Sequence, residues 1–332
     1  MNKACELFEI IQSCIEDTEN VLSVSEMCTI AGVSRSGYYA WLKAAPERAA
    51  REAQDRKDFD LILVAYKSRC YSKGAKGIYM YLIHMKPPVV MNLKKIRRLM
   101  KKYNLICPIR KGNPYRQLAK ALKTSHVADN LLQREFESYG PRMVLLTDIT
   151  YIPYNGTFSY LSTILDAFTK QILSYVISDS LKVDFVLETV EQLIHNHGIS
   201  MYAETILHSD QGCHYTSDSF INILKNKKLR QSMSRRGNCW DNAPQESFFG
   251  RMKDHIMSKL KEATEYEEVV AIVEDYIDYY NNERYQWELA KLSPNEFYEF
   301  CISGIYPIDI PNIPKVPVIE KSRLELGISD TN

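Results

Sequence analysis

No two of the eight cysteines form a Cys-x-x-Cys pair; they scatter at positions 5, 14, 28, 70, 107, 213, 239 and 301. That spacing excludes a paired-cysteine zinc module and offers no disulfide framework, so a reducing compartment is expected. Nor is there an apolar run of the roughly 18 residues that a membrane-spanning helix needs. The start, Met1-Asn2-Lys3-Ala4-Cys5-Glu6, has an early acid and no apolar stretch, unlike a secretory signal. These absences predict a cytoplasmic protein with no membrane partner. His195 and His197 lack paired cysteines and read as surface residues rather than ligands. Sustained heptads are missing too, so no coiled-coil zipper is expected.

Acid is absent where base is dense. From Leu61 to Ala128 there is no Asp or Glu, yet the stretch holds sixteen Lys or Arg. The rest of the chain holds 26 basic and 41 acidic residues, so a net charge of +1 conceals +16 beside −15. Such a block suits a polyanion, nucleic acid above all. The plainer alternative is a solvated helical face, which ordinarily mixes both signs. With 332 residues, 45% of them hydrophobic, the chain has room for two or three globular domains.

Local pattern divides it. Residues 5–17 form an amphipathic helix. Ser23 with Glu26 three later is a capping box, Gly32 supplies a turn, and Ser34 caps a second helix carrying Tyr38 and Trp41. Two short helices about a tight turn make a helix-turn-helix candidate, with Arg35 at the start of its recognition helix; a helical hairpin serving only a core is the alternative. Helical spacing returns over 56–68 and 92–104, the latter setting Leu93, Ile96, Leu99 and Met100 against Arg97, Arg98 and four lysines. From Met143 the pattern changes. Three β-rich runs at 143–152, 157–166 and 171–178 predict an antiparallel meander. After them come a helix at 183–197, a strand at 204–209, a helix near 217–226, a strand near 231–234, and helices at 242–260 and 265–281. That order predicts a mixed α/β layer fold. The Pro-broken tail from Gly304 is expected to lack its own core.

Three carboxylates have unusual settings. Asp148 is mid-strand in Leu-Thr-Asp-Ile-Thr-Tyr, where an unpaired acid is costly. Asp210 ends a strand in His-Ser-Asp-Gln-Gly, and Glu246 opens a helix, with thirty-five residues between the two. If converged, they repel unless cations neutralise them, and oxygen ligands suit Mg²⁺ or Mn²⁺. Two such ions can activate an attacking oxygen and stabilise a leaving one at phosphorus. Spacing alone is weak among 41 acids, and Asp166, Asp179 and Asp184 compete on that basis.

The contexts are more specific. The blocks around Asp148 and Asp210, then Ser-Arg-Arg-Gly-Asn-Cys-Trp-Asp-Asn-Ala-Pro-Gln-Glu-Ser-Phe-Phe-Gly, then Tyr-Asn-Asn-Glu-Arg-Tyr resemble, in order, those of bacterial insertion-sequence transposases with a retroviral-integrase-like Asp-Asp-Glu core. Further back, Met27–Trp41 and Arg110–Arg116 resemble that family's N-terminal region. The resemblance implies a ribonuclease-H-like mixed sheet with flanking helices, preceded by an all-α helix-turn-helix and a basic helical region. Its divisions would be 1–50, the helix-turn-helix; 51–135, the basic DNA-binding region and connector; 136–300, the catalytic core; and 301–332, an extended tail. It also implies Mg-dependent polynucleotidyl transfer at the ends of an insertion sequence, with two Mg²⁺ (or Mn²⁺) held by Asp148, Asp210 and Glu246. Lys253, two helical turns beyond Glu246, is the candidate phosphate holder. Arg236 and Asn238 lie in a basic loop, where Trp240 either stacks on a base or covers the helix start. Arg284 belongs to the Tyr-Asn-x-x-Arg element, whose Asn282 either meets DNA or braces the last helix. Expected partners are element-end and target DNA, further copies of the chain, and an upstream-frame subunit. Two departures stand out: Gln286 where a His is common, and Lys76 where an Arg-bearing box is common. A hydrolytic nuclease on the same fold and a degenerate DNA-binding regulator are the competing readings.

Overall fold

A computed structural model describes residues 3–71, 73–108, 139–198, 201, 205–233 and 243–317. The chain forms two compact units, Met1–Val64 and Ala65–Asn332.

The first unit contains α1 (Lys3–Glu16), α2 (Val24–Ile30), α3 (Arg35–Lys43) and most of α4 (Ala45–Lys67). The Ser23–Glu26 capping box forms as predicted, and Ser34 accepts from the Gly37 amide at the start of α3. Gly32, with φ +65°, makes the turn between α2 and α3. Phe8, Ile11, Met27, Cys28 and Tyr38 fill the small core, and the Tyr38 hydroxyl donates to Gln12 at 2.6 Å. α4 begins eleven residues earlier than periodicity predicts. Its first half is polar all round, so Ala, Glu, Arg and Gln propensity, not an apolar stripe, sustains it.

The second unit begins with α5 (Ala75–His84) and α6 (Leu93–Lys102). In α6, Ile96, Leu99 and Met100 are buried while Arg97 and Arg98 face solvent. The core sheet follows: β1 (Val144–Tyr154), β2 (Thr157–Asp166), β3 (Ile172–Ser178), β4 (Ile206–Ser209) and β5 (Arg230–Met233), in the order β3-β2-β1-β4-β5. The meander β1-β2-β3 is antiparallel, and β4 and β5 run parallel to β1. This is the ribonuclease-H-like arrangement. Helices α7 (Asp184–His197) and α8 (Asp218–Asn226) cover one face, with Phe185, Val190, Phe220 and Leu224 packing on Leu145, Ile164 and Leu173. On the other face lie α9 (Ala243–Glu262) and α10 (Tyr266–Asn282), with Phe248, Met252, Ile256, Val273 and Tyr276 packing on Val144, Leu146 and Leu161. Truncating a fully buried side chain such as Ile256 in this layer costs about 2–5 kcal/mol.

α11 (Pro294–Ser303) closes the described core. The beginning of the tail, expected to lack a core of its own, packs on that of its neighbours. Tyr306, Ile308 and Ile310 are buried with Phe297 and Phe300, because an apolar residue at every second position lays one edge of the extended segment on α11. Among the described residues no helix is long and apolar enough to cross a membrane.

Candidate active site

Asp148 shares a face of β1 with Val144, Leu146 and Ile152, the face covered by α9 and α10. Parallel pairing sets Leu146 opposite His208. Asp148 lies two residues beyond Leu146 on β1, and Asp210 lies two beyond His208, directly after the end of β4. Glu246 stands in the first turn of α9. Just before it, Gln245 is fully buried, and its amide donates to the Thr163 hydroxyl. Thr163 is the β2 partner of Asp148. The start of α9 is thereby fastened beside Asp148.

Asp148 is half-buried, whereas Asp210 and Glu246 are exposed. Burial first, then the charges of Asp210 and Glu246, push the Asp148 carboxyl up to about 7. The Ile149 amide, donating to Oδ1 at 2.8 Å, and the Lys253 ammonium pull the other way. Burial lowers Lys253, and Asp148 partly offsets that. Four of the expected site residues therefore share one electrostatic environment. Tyr215, wholly buried beneath it, is raised well above the phenol range by burial and by Asp148 and Asp210. The Asp210 Oδ1 accepts from the Gly212 amide at 2.8 Å, and a Cβ at Gly212 would stand 2.9 Å from that oxygen. Only glycine leaves the carboxylate where it is.

Among the described residues, no three of His, Cys, Asp and Glu are gathered closely enough to enclose an ion as they stand. By chemistry the trio still suits a hard divalent cation. It offers oxygen donors alone, and a cation would relieve the like charge that raises Asp148.

The other expected residues are spread out. Arg35 is exposed at the first position of α3, in the other unit. Arg97, Arg98 and Arg284 are not among the leading influences on Asp148. Arg236, Asn238 and Trp240 lie outside the described residues, as does the Arg110–Arg116 block. Asn282 braces α11, accepting from Asn295 at 2.6 Å. Its neighbour Asn281 fastens α10 to the start of β3 through both the amide and the carbonyl of Ile172. Asp166 is structural: fully buried, it accepts from the Arg142 and Phe168 amides and the Thr169 hydroxyl, and pairs with the Arg142 guanidinium. Gln245, Thr163 and Gly212 were not singled out from sequence. For Gln245 the one available signal was its place beside Glu246.

Two family models, each described as an integrase core domain, match residues 138–239 and 227–294. The chain is 32% identical over 274 residues to the InsK transposase of insertion sequence element IS150 from Escherichia coli strain K12, covering 82% of this chain and 93% of that protein. It is 28% identical over 293 residues to transposase InsF of insertion sequence IS3A from the same strain, covering 85% of this chain and 96% of InsF. Among solved structures, the HTLV-2 integrase catalytic core domain in complex with magnesium is similar at 14% identity and a TM-score of 0.38, covering 48% of this chain and 99% of that one.

Proposed function

We propose, on the footing that this chain belongs to the integrase-core transposases of bacterial insertion sequences, that Asp148, Asp210 and Glu246 are its metal ligands and that the metal is Mg²⁺. The chain is a DNA transposase of the polynucleotidyl transferase type; which residues and which ion carry the reaction is the proposal. The observation that carries it is that Asp210, next to the end of the strand paired with β1, and Glu246 both act on the half-buried Asp148 carboxyl. Two Mg²⁺ bound there, or Mn²⁺ in their stead, would activate the attacking oxygen and neutralise the leaving one.

The protein side of the chemistry is positioning and charge. Asp148 supplies a rigid carboxylate from mid-strand. Asp210 is oriented by the Gly212 amide. Glu246 is held by its buried neighbour Gln245. Lys253, partly desolvated and facing Asp148, is positioned to receive a phosphate oxygen. Arg35 in α3, Arg97 and Arg98 on α6, and Arg236, Asn238 and Arg284 are proposed as further DNA contacts. With them go the division at 50, 135 and 300, assembly of several copies on element ends, an upstream-frame subunit, and a cytoplasmic setting.

The test is strand transfer on labelled element-end DNA with Mg²⁺ or Mn²⁺, the upstream-frame product being added if the chain alone is silent. Wild type should join ends. Asp148→Asn, Asp210→Asn and Glu246→Gln should each lose cleavage and joining by about 10³-fold or more while still binding DNA. Full activity in any of the three would remove that residue from the site. Hydrolysis without joining would instead favour a nuclease.

A further inference from the structure

Away from Glu246, α9 carries a second concentration of charge. Arg251 follows Glu246 by five residues, roughly 140° round the helix, so the two side chains leave different faces. A cleft of about 470 Å³ opens there within the second unit. Lys76 of α5 lines it, with Arg251, Asp254 and His255 of α9 and Arg284 and Trp287 beyond α10.

The cations of this cleft are used differently from those nearby. Arg69 is spent on Asp275, Asp278 and Glu283, and Lys259 on Asp275. Among the described residues, neither Arg251 nor Arg284 makes an ion pair. Instead, burial and then the charge of Arg284 hold Arg251 below the usual guanidinium range, with Glu288 giving only a lesser offset. Arg284 lies 5.5 Å over the Tyr280 ring. The Nδ1 of His255 is buried in the same place with no hydrogen-bond partner. Trp287 leaves 37% of its surface exposed, with the Lys76 ammonium 4.8 Å from its ring.

Two guanidinium groups lining one cleft, neither of them in an ion pair among the described residues, repel, and a bridging anion reverses the sign. Their planar forks match the oxygens of a phosphodiester, which also supplies an acceptor for an imidazole N–H. Asp254 and Glu288 line the cleft as well, so it is cationic on balance rather than throughout. We propose that this cleft is a second nucleic-acid contact, gripping a backbone phosphate between Arg251 and Arg284 on a segment of strand other than the one held at the carboxylates. The choice of DNA as ligand rests on the transposase assignment; the site itself rests on the cleft.

The experiment uses the full chain without divalent metal, so that cleavage does not intervene. Fluorescence anisotropy follows a short labelled duplex across a salt series. The double variant Arg251→Gln/Arg284→Gln should bind about tenfold more weakly, and its salt slope should flatten by about 2. Asp254→Asn, which removes an acid from the cleft, should bind more tightly, and it carries the test if the double variant does not fold. Wild-type affinity and slope in the folded double variant, or unchanged affinity in Asp254→Asn, would overturn the proposal. So would equal competition by poly-glutamate, which would make the cleft a site for acidic polypeptide. Metal-dependent joining is read separately: its loss with cleft binding intact sinks the carboxylate assignment alone, and the converse sinks the cleft alone.

Discussion

The Gln245 amide donates to the hydroxyl of Thr163, the residue that faces Asp148 across the β1–β2 ladder. One buried hydrogen bond thus sets how the first turn of α9, and Glu246 with it, stands against the strand that carries Asp148. A helix start joined to the sheet only through a loop would leave that distance loose, and phosphoryl transfer tolerates little looseness.

Gln245→Leu keeps most of the volume and removes the bond. Stability should fall by about 1–3 kcal/mol, because the fully buried Thr163 hydroxyl is left without its partner. The single-turnover joining rate should fall about tenfold through misplacement of Glu246. Thermal melting and a joining time course at saturating DNA measure the two effects; a wild-type rate would show that the bond has no part in positioning.

At Gly212 the added methyl of Gly212→Ala meets the end of a side chain, the Asp210 carboxylate. The fold can give way cheaply there, but Asp210 cannot remain in place. Melting should therefore be nearly unchanged while the Mg²⁺ concentration for half-maximal activity rises about tenfold or more. A metal titration of activity that overlays wild type would refute this.

His255 is half-buried against the Tyr71 and Tyr276 rings, and its pKa is lowered to about 4, by burial first and then by Arg284, with lesser contributions from Lys73 and Arg251; only Asp254 opposes them. A folded pKa below the unfolded value of 6.5 means that the unfolded chain takes up the proton first. The stabilisation is complete above pH 6.5 and is lost as pH falls towards about 4, by about 3 kcal/mol in all. Urea unfolding across that window should show the decline, and His255→Phe should flatten it. An equally steep decline in His255→Phe would assign it to other groups.

Asp166 and Arg142 form a buried pair at 3.4 Å, with Arg142 also lying 4.2 Å over the Tyr298 ring. Asp166→Ala leaves a buried guanidinium without its counter-charge and should cost about 3–5 kcal/mol. Protein that remains folded at low temperature should still join DNA, because this acid is far from any reacting group in its bonding: all its partners are backbone, Thr169 and Arg142. Inactive yet stable Asp166→Ala would reverse both halves of the prediction.

Much of the core was legible from local pattern. The runs at 143–178 became a three-stranded meander within a residue or two of the expected limits, and the helices at 183–197 and 265–281 stand where their apolar spacing put them. Asp148, Asp210 and Glu246 were identifiable because each sits in a distinctive local context. Two helices escaped. α5 contains Gly77 and β-favouring residues and has no side-chain cap. α11 carried a readable signal, Ser293 with Glu296 and Pro294 between them, that was not used.

Sequence alone therefore determined most of the elements and singled out the acids, since periodicity, caps and composition act over a few residues. Tertiary structure decided what those acids meet. Asp210 acts on Asp148 only because β4 pairs parallel to β1 in one register. Gln245 reaches Thr163 across 82 positions of chain. Arg251 on α9 and Arg284, just beyond α10, come to line one cleft only when those two helices pack on the same face of the sheet. Each of these depends on strand register and helix packing, which are set by burial of the whole apolar layer, a long-range free energy that no local window of sequence contains.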